Sequence, residues 1–111
     1  MLTNFYSKQV VAEPIDEIVI NKKVISSHTK LVKCSETMKI VSFLSKPHRD
    51  IIFHLFKNSG VIYSKKELKC IGWQEKKVSN SSVLVAISEI RQVIGDRSIM
   101  TVTGEGYMYV G

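Results

Sequence analysis

A chain of 111 residues has room for one domain around a single modest core, and none for a separate sensory or catalytic module. Its hydrophobic fraction of 44% and charged fraction of 23% are those of a folded globular protein and exclude wholesale disorder. A net charge of +6 and a pI near 9.4 point to an anionic partner, nucleic acid first and an acidic membrane surface second. No apolar run approaches the roughly 18 residues of a membrane span. The opening MLTNFYSKQV lacks the basic-then-apolar layout of a signal peptide, so a soluble, cytoplasmic location is expected.

The first ten residues show no clear period and Pro14 interrupts any regular element crossing it, leaving a segment that frays or forms an edge strand. Ile18 to Ile20, the turn Asn21-Lys22-Lys23, and Val24-Ile25 read as strand, turn, strand. Further short apolar runs at Leu31-Val32 and Ile40 to Leu44 complete a small antiparallel sheet of three or four strands. At Leu44-Ser45-Lys46-Pro47 the period switches. Ser45 is placed to cap, and Pro47 suits the first turn of a helix carrying Ile51, Ile52, Leu55 and Phe56 and ending near Asn58-Ser59-Gly60. Phe53 lies off that stripe, so this helix is expected between the sheet and other helices, at the centre of the core. After Val61-Ile62-Tyr63, Ser64-Lys65-Lys66-Glu67 has the spacing of a capping box and opens a short second helix to about Trp73. Glu75 to Asn80 is a polar turn holding Lys76 and Lys77.

The stretch Ser81 to Asp96 is a third helix, with Asn80, Ser81 or Ser82 available as its cap. Val83, Ile87, Ile90 and Ile94 recur at i, i+4, i+7 and i+11, the spacing of one buried stripe. At about 100° per residue, Ser81, Val85, Ser88 and Gln92 project from the opposite face, with Leu84 and Arg91 on a flank. Leu84 either leans back onto the second helix or the hairpin that follows, or joins Val85 on the outward face. Beyond Gly95-Asp96 the period drops to two. Ile99 to Thr103, a Gly104-Glu105-Gly106 turn and Tyr107 to Val110 predict a terminal β-hairpin. The expected fold class is α+β, in one domain over 1–111: an N-terminal β-platform (1–44), a three-helix core (45–96) and a hairpin (97–111).

The segments LSKPHRDIIFHLF, VIYSKKELKCIGW, SSVLVAISEIRQVIGD and IMTVTGEGYMYV together resemble the OmpR/PhoB-type winged-helix DNA-binding domain, over roughly residues 38–111. The matching positions are Leu44-Ser45, Ser64, Glu67-Leu68, Trp73, Ile87, Ile90-Arg91, Thr101-Val102, Gly104 and Gly106-Tyr107. The N-terminal sheet agrees with that family as well. A domain beginning at Met1 without a receiver resembles the ToxR/CadC branch, whose members place the domain before a membrane helix. Membrane anchoring is therefore expected only where a longer natural chain supplies one. The resemblance implies a non-enzymatic bacterial transcription regulator on double-stranded DNA, with helix 81–94 in the major groove and the hairpin as the wing. Two copies on repeated or palindromic half-sites are expected, with a partner regulator or RNA polymerase as further contacts.

Candidate DNA-contacting residues are Ser81, Leu84, Val85, Ser88 and Gln92 on the outward face, Arg91 as a phosphate clamp, and Thr103 in the wing. Lys65, Lys66, Lys76 and Lys77 are the candidates for phosphate contact. From Val78 to Gly111 only Arg91 and Arg97 are basic, against acidic Glu89, Asp96 and Glu105. The reading third is thus slightly acidic, and the wing turn lacks the basic residues common in this family. Other chemistry finds little support. His48 and His54 stand six apart on different helix faces, and His28, Cys34 and Cys70 have no paired ligand spacing, so no metal or other cofactor is expected. The two cysteines suit reduced thiols. Gly104-x-Gly106 leads into a strand period, which excludes a dinucleotide loop, and no catalytic constellation is visible. The alternative function is a protein-interaction module on the same fold, with Leu84 and Val85 against another protein.

Overall fold

The computed structural model describes residues 17–74 and 77–111. The first ten residues, Pro14 and Lys76 therefore lie outside the described residues. Four short strands, β1 (Glu17–Ile20), β2 (Lys23–Ser26), β3 (Leu31–Cys34) and β4 (Ile40–Phe43), precede three helices, α1 (Lys46–Lys57), α2 (Lys65–Trp73) and α3 (Asn80–Ile94). Strands β5 (Ile99–Val102) and β6 (Gly106–Tyr109) close the chain. This is the α+β winged helix expected from the sequence, with an antiparallel sheet in the order β1-β2-β3-β4 and a separate hairpin.

The first turn is tighter than the Asn21-Lys22-Lys23 reading. Ile20 pairs with Lys23, so Asn21 and Lys22 alone form the loop, with φ of 49° and 65°. Two positive φ values give the mirror-image turn whose twist matches a hairpin, and asparagine tolerates the first position best. Alternation along β1 buries Ile18 and Ile20 while Glu17 and Val19 face outward. At the other edge the pairing of β4 with β3 shifts between Val32 and Lys33, and Ile40, Val41 and Phe43 are left exposed.

Helix α1 carries Pro47 in its first turn, as expected, but Ser45 caps by backbone conformation alone, without a side-chain hydrogen bond. It buries Ile51, Ile52, Leu55 and Phe53. Its close packing is on α2, α3 and β6, while Ile18, Ile20, Ile25 and Val32 of the sheet join the same buried cluster. Arg49 is also buried here, and its Nη1 donates to the Leu44 carbonyl at 2.6 Å, which ties the helix start to the strand before it. The Ser64 capping box is complete. The Glu67 N–H donates to Ser64 Oγ at 3.1 Å, and the Ser64 N–H donates to Glu67 Oε1 at 2.8 Å.

Helix α3 begins one residue before the predicted caps: Ser79 is its N-cap, with no side-chain cap bond, and Asn80 is already helical. The Ser79 hydroxyl donates to the Ser81 hydroxyl at 3.3 Å and makes no cap bond to the helix. The stripe Val83, Ile87, Ile90 and Ile94 is buried as read, widened by Ala86 and Val93. At the far end the Asn21 side-chain amide donates to the Ile94 carbonyl and to Ser98 Oγ, fixing the first hairpin of the chain to the end of the third helix.

Candidate nucleic-acid interface

The terminal hairpin is held by the connection between α1 and α2. Tyr63 and Tyr107 exchange N–H to carbonyl bonds at 2.8 and 2.9 Å, and the Gly60 N–H donates to the Tyr109 carbonyl at 2.9 Å. The backbones approach so closely that only glycine fits at 106, where φ is +144° and a Cβ would overlap the Tyr63 carbonyl. This fixes the wing beside the start of α2.

A groove of about 510 Å³ opens between the wing and the starts of α2 and α3. Lys65, Lys66, Asn80, Thr101, Thr103 and Glu105 are among its lining residues. Both lysines and Thr103 are exposed. The first turn of α3 also opens here, and its N–H groups take no capping side chain. Amides without a side-chain cap, the positive end of the helix dipole and two lysines give this groove a positive potential that suits anionic oxygen, with Glu105 the opposing charge. Lys77 is exposed in the connection before α3.

A second groove, of about 600 Å³, runs along the outer face of α3 on the side of the sheet. Phe43, Leu84, Val85, Ser88, Glu89 and Gln92 line it together with Ser42 and Val93. The predicted outward residues Ser81, Val85, Ser88 and Gln92 are all exposed. Leu84 is 47% exposed and turns toward β4, in place of the hairpin or second helix as the alternative reading had it. Four lining residues, Ser42, Phe43, Glu89 and Val93, were not among the sequence candidates, and two of them matter here. Glu89 follows Val85 by four, so spacing alone puts it on the outward face. Phe43, 60% exposed, reaches the groove from a strand forty residues earlier, and only the tertiary fold brings it there.

Glu89 has a neighbour across the helix interface: its Oε1 lies 3.3 Å from Nδ1 of the half-buried His48. The contact lacks hydrogen-bond geometry. Burial pushes the His48 ring below its ordinary pKa of 6.5, with Glu89 opposing more weakly, so the imidazole is neutral at neutral pH.

Arg91 occupies a different place from the other candidates. Its Nη2 donates to the Ile99 carbonyl and to Thr101 Oγ1, both at 2.8 Å, and its guanidinium carbon stands 5.8 Å from the centre of the Tyr107 ring. The side chain is thus engaged on the hairpin instead of reaching freely into solvent. Of the predicted residues, the fold gathers Lys65, Lys66 and Thr103 in one groove and Leu84, Val85, Ser88 and Gln92 in the other.

Comparisons with known proteins agree with this architecture. The family described as transcriptional regulatory protein, C terminal, matches residues 41–109. Comparison with curated protein sequences gives no match. Among solved structures, the DNA-binding domain of Escherichia coli CadC superposes with a TM-score of 0.71 at 22% identity, covering 90% of this chain and 96% of that one. The Thermotoga maritima response regulator DrrB, an OmpR/PhoB homologue, gives 0.67 at 28% identity, covering 86% of this chain and 45% of that one. The Klebsiella pneumoniae RstA DNA-binding domain, solved in complex with the RstA box, gives 0.62 at 23% identity over 86% of this chain and 98% of that one. With a family match over more than half its length and these superpositions, the chain belongs to the OmpR/PhoB-type family of transcriptional regulatory C-terminal domains.

Proposed function

We propose that the chain is the DNA-binding module of a transcription regulator and binds double-stranded DNA with α3 in the major groove and the β5–β6 hairpin against the neighbouring backbone. The observation that carries this reading is the arrangement around α3. A lysine-lined groove stands at its uncapped start, and an outward face of small polar and aliphatic side chains follows along the same helix. Lys65, Lys66, Lys76 and Lys77 supply sequence-independent affinity through phosphate contact, and Thr103 meets the backbone from the wing. Ser81, Ser88 and Gln92 make the few hydrogen bonds to base edges, while Leu84 and Val85 pack on thymine methyls, which favours an A·T-rich target. Arg91 acts as the brace that holds the wing to α3, its Nη2 donating to the Ile99 carbonyl and Thr101 Oγ1, a role set in place of the phosphate clamp expected from the sequence. The module is non-enzymatic and works on the cytoplasmic side, as two copies on paired half-sites, with a partner regulator or an RNA polymerase subunit as additional contacts. If the natural chain is longer, a following membrane segment would anchor it.

A second reading is favoured by the exposure of Phe43 beside Leu84 and Val85, an apolar strip that suits another protein. A gel-shift at moderate salt separates the two, with a duplex from the region upstream of the coding sequence set against random duplex. Retarded specific duplex supports DNA recognition. Equal retention of both duplexes, or none, together with loss of self-association in Leu84→Ser/Val85→Ser, supports the protein interface.

A further inference from the structure

Val85, Ser88, Glu89 and Gln92 fall at i, i+3, i+4 and i+7, one continuous stripe of α3, and all four line the same groove. A helix whose outward face enters the major groove carries every member of that stripe toward the base edges. One member is a carboxylate, 54% exposed at its side chain. Among the described residues its titratable neighbour is the neutral His48, with a side-chain exposure of 12%. No lysine or arginine among the described residues lines this groove. A carboxylate so placed is an acceptor with no donor of its own.

Resting on the DNA-binding reading above, we infer that Glu89 is a base-reading residue whose carboxylate accepts a hydrogen bond from the N4 amino group of a cytosine in the major groove. Cytosine presents a donor at that edge. Guanine presents O6 and N7, thymine presents O4, and each repels a carboxylate, while adenine pairs its N6 donor with the N7 acceptor beside it. Glu89 also repels phosphates, so it penalises any register in which the duplex backbone enters the sheet-side groove. His48, on α1, stands 3.3 Å behind the carboxylate and backs it without donating a charge. The target is therefore A·T-rich with at least one C·G pair fixed in orientation, set where Val85 and Gln92 bracket it.

The test is selection of bound duplexes from a library with a randomised core, using the full chain, Glu89→Gln and Glu89→Ala, with thermal melting of each variant. The expected result is an enriched motif with cytosine at one position. Glu89→Ala loses that preference by roughly fivefold or more. Glu89→Gln shifts it toward adenine, and the remaining motif and the melting temperature stay unchanged. A motif identical in all three proteins would overturn the role of Glu89 while leaving the DNA-binding reading standing. A wild-type chain that enriches no motif would overturn both.

Discussion

The two grooves beside α3 differ in composition more than in size. The wing-side groove gathers Lys65, Lys66 and the uncapped start of the helix, whereas the sheet-side groove gathers Phe43, Leu84 and Val85 around the single carboxylate of Glu89. Although the chain carries a net charge of +6, its described lysines and arginines lie outside the sheet-side groove. Affinity from counterion release does not depend on sequence, while contact with methyls and amino groups does. Under the proposed function these two tasks fall to two grooves, so each should be open to damage separately.

The largest effect should come from Gly106→Ala. The added Cβ meets the Tyr63 carbonyl in a backbone conformation that disfavours side chains, so the wing cannot dock and the wing-side groove is lost. A loss of roughly 3 kcal/mol is expected in denaturant unfolding. An unaltered midpoint would mean that the hairpin is not pinned as described. Next in size is the neutralisation of Lys65, Lys66, Lys76 and Lys77 to glutamine. The slope of log affinity against log salt should fall by about 0.9 for each lysine that meets a phosphate, with base preference retained. An unchanged slope assigns the lysines to something other than DNA.

Much of this frame is legible in the chain. The buried stripe of α3, the Ser64 and Glu67 capping box and the Gly-x-Gly turn are each set by local spacing, so sequence and structure agree there. Contacts between distant segments are a different matter. Nothing in the periodicity near Asn21 announces a bond to the Ile94 carbonyl, 73 residues on. The direction of Arg91 depends on where the hairpin docks, and its apparent availability disappears once Ile99 and Thr101 are in place. The burial of Arg49 likewise follows from the Leu44 carbonyl beside it. Glu89 was within reach of helical spacing, but counting it only as a negative charge hid its position on the outward face.

Arg91 gives a smaller effect that sharpens the division. Arg91→Ala removes two hydrogen bonds and leaves the Ile99 carbonyl without that donor, for a loss of about 1–3 kcal/mol in stability. Arg91→Lys should lose part of the same stability, because an ammonium lacks the planar guanidinium that stands over the Tyr107 ring. Both variants should weaken all duplexes alike, through the displaced wing. Full stability in Arg91→Lys would return this residue to a simple charge role.

The smallest effects are in pH. Glu67 is held below its ordinary 4.5 by the backbone N–H and hydroxyl of Ser64, and His48 is held below 6.5 by burial. In both cases the unfolded chain takes up its proton first. Stability is thus full above the unfolded value and falls as pH drops through it toward the folded value. Melting temperature should decline gently below 6.5 and again below 4.5. His48→Gln should flatten the upper step and Glu67→Gln the lower. A rise in stability on acidification through either window would reverse the assigned burial or capping.

The most direct test of the central claim is amide chemical-shift mapping of the full chain titrated with duplex DNA, first a random A·T-rich duplex and then the selected one. Both should perturb residues around Lys65, Lys66, Asn80 and Thr103, and only the selected duplex should strongly perturb Leu84, Val85, Ser88, Glu89 and Gln92. Perturbation confined to β1–β4, or identical maps for the two duplexes along α3, would contradict the assignment of affinity to one groove and selectivity to the other.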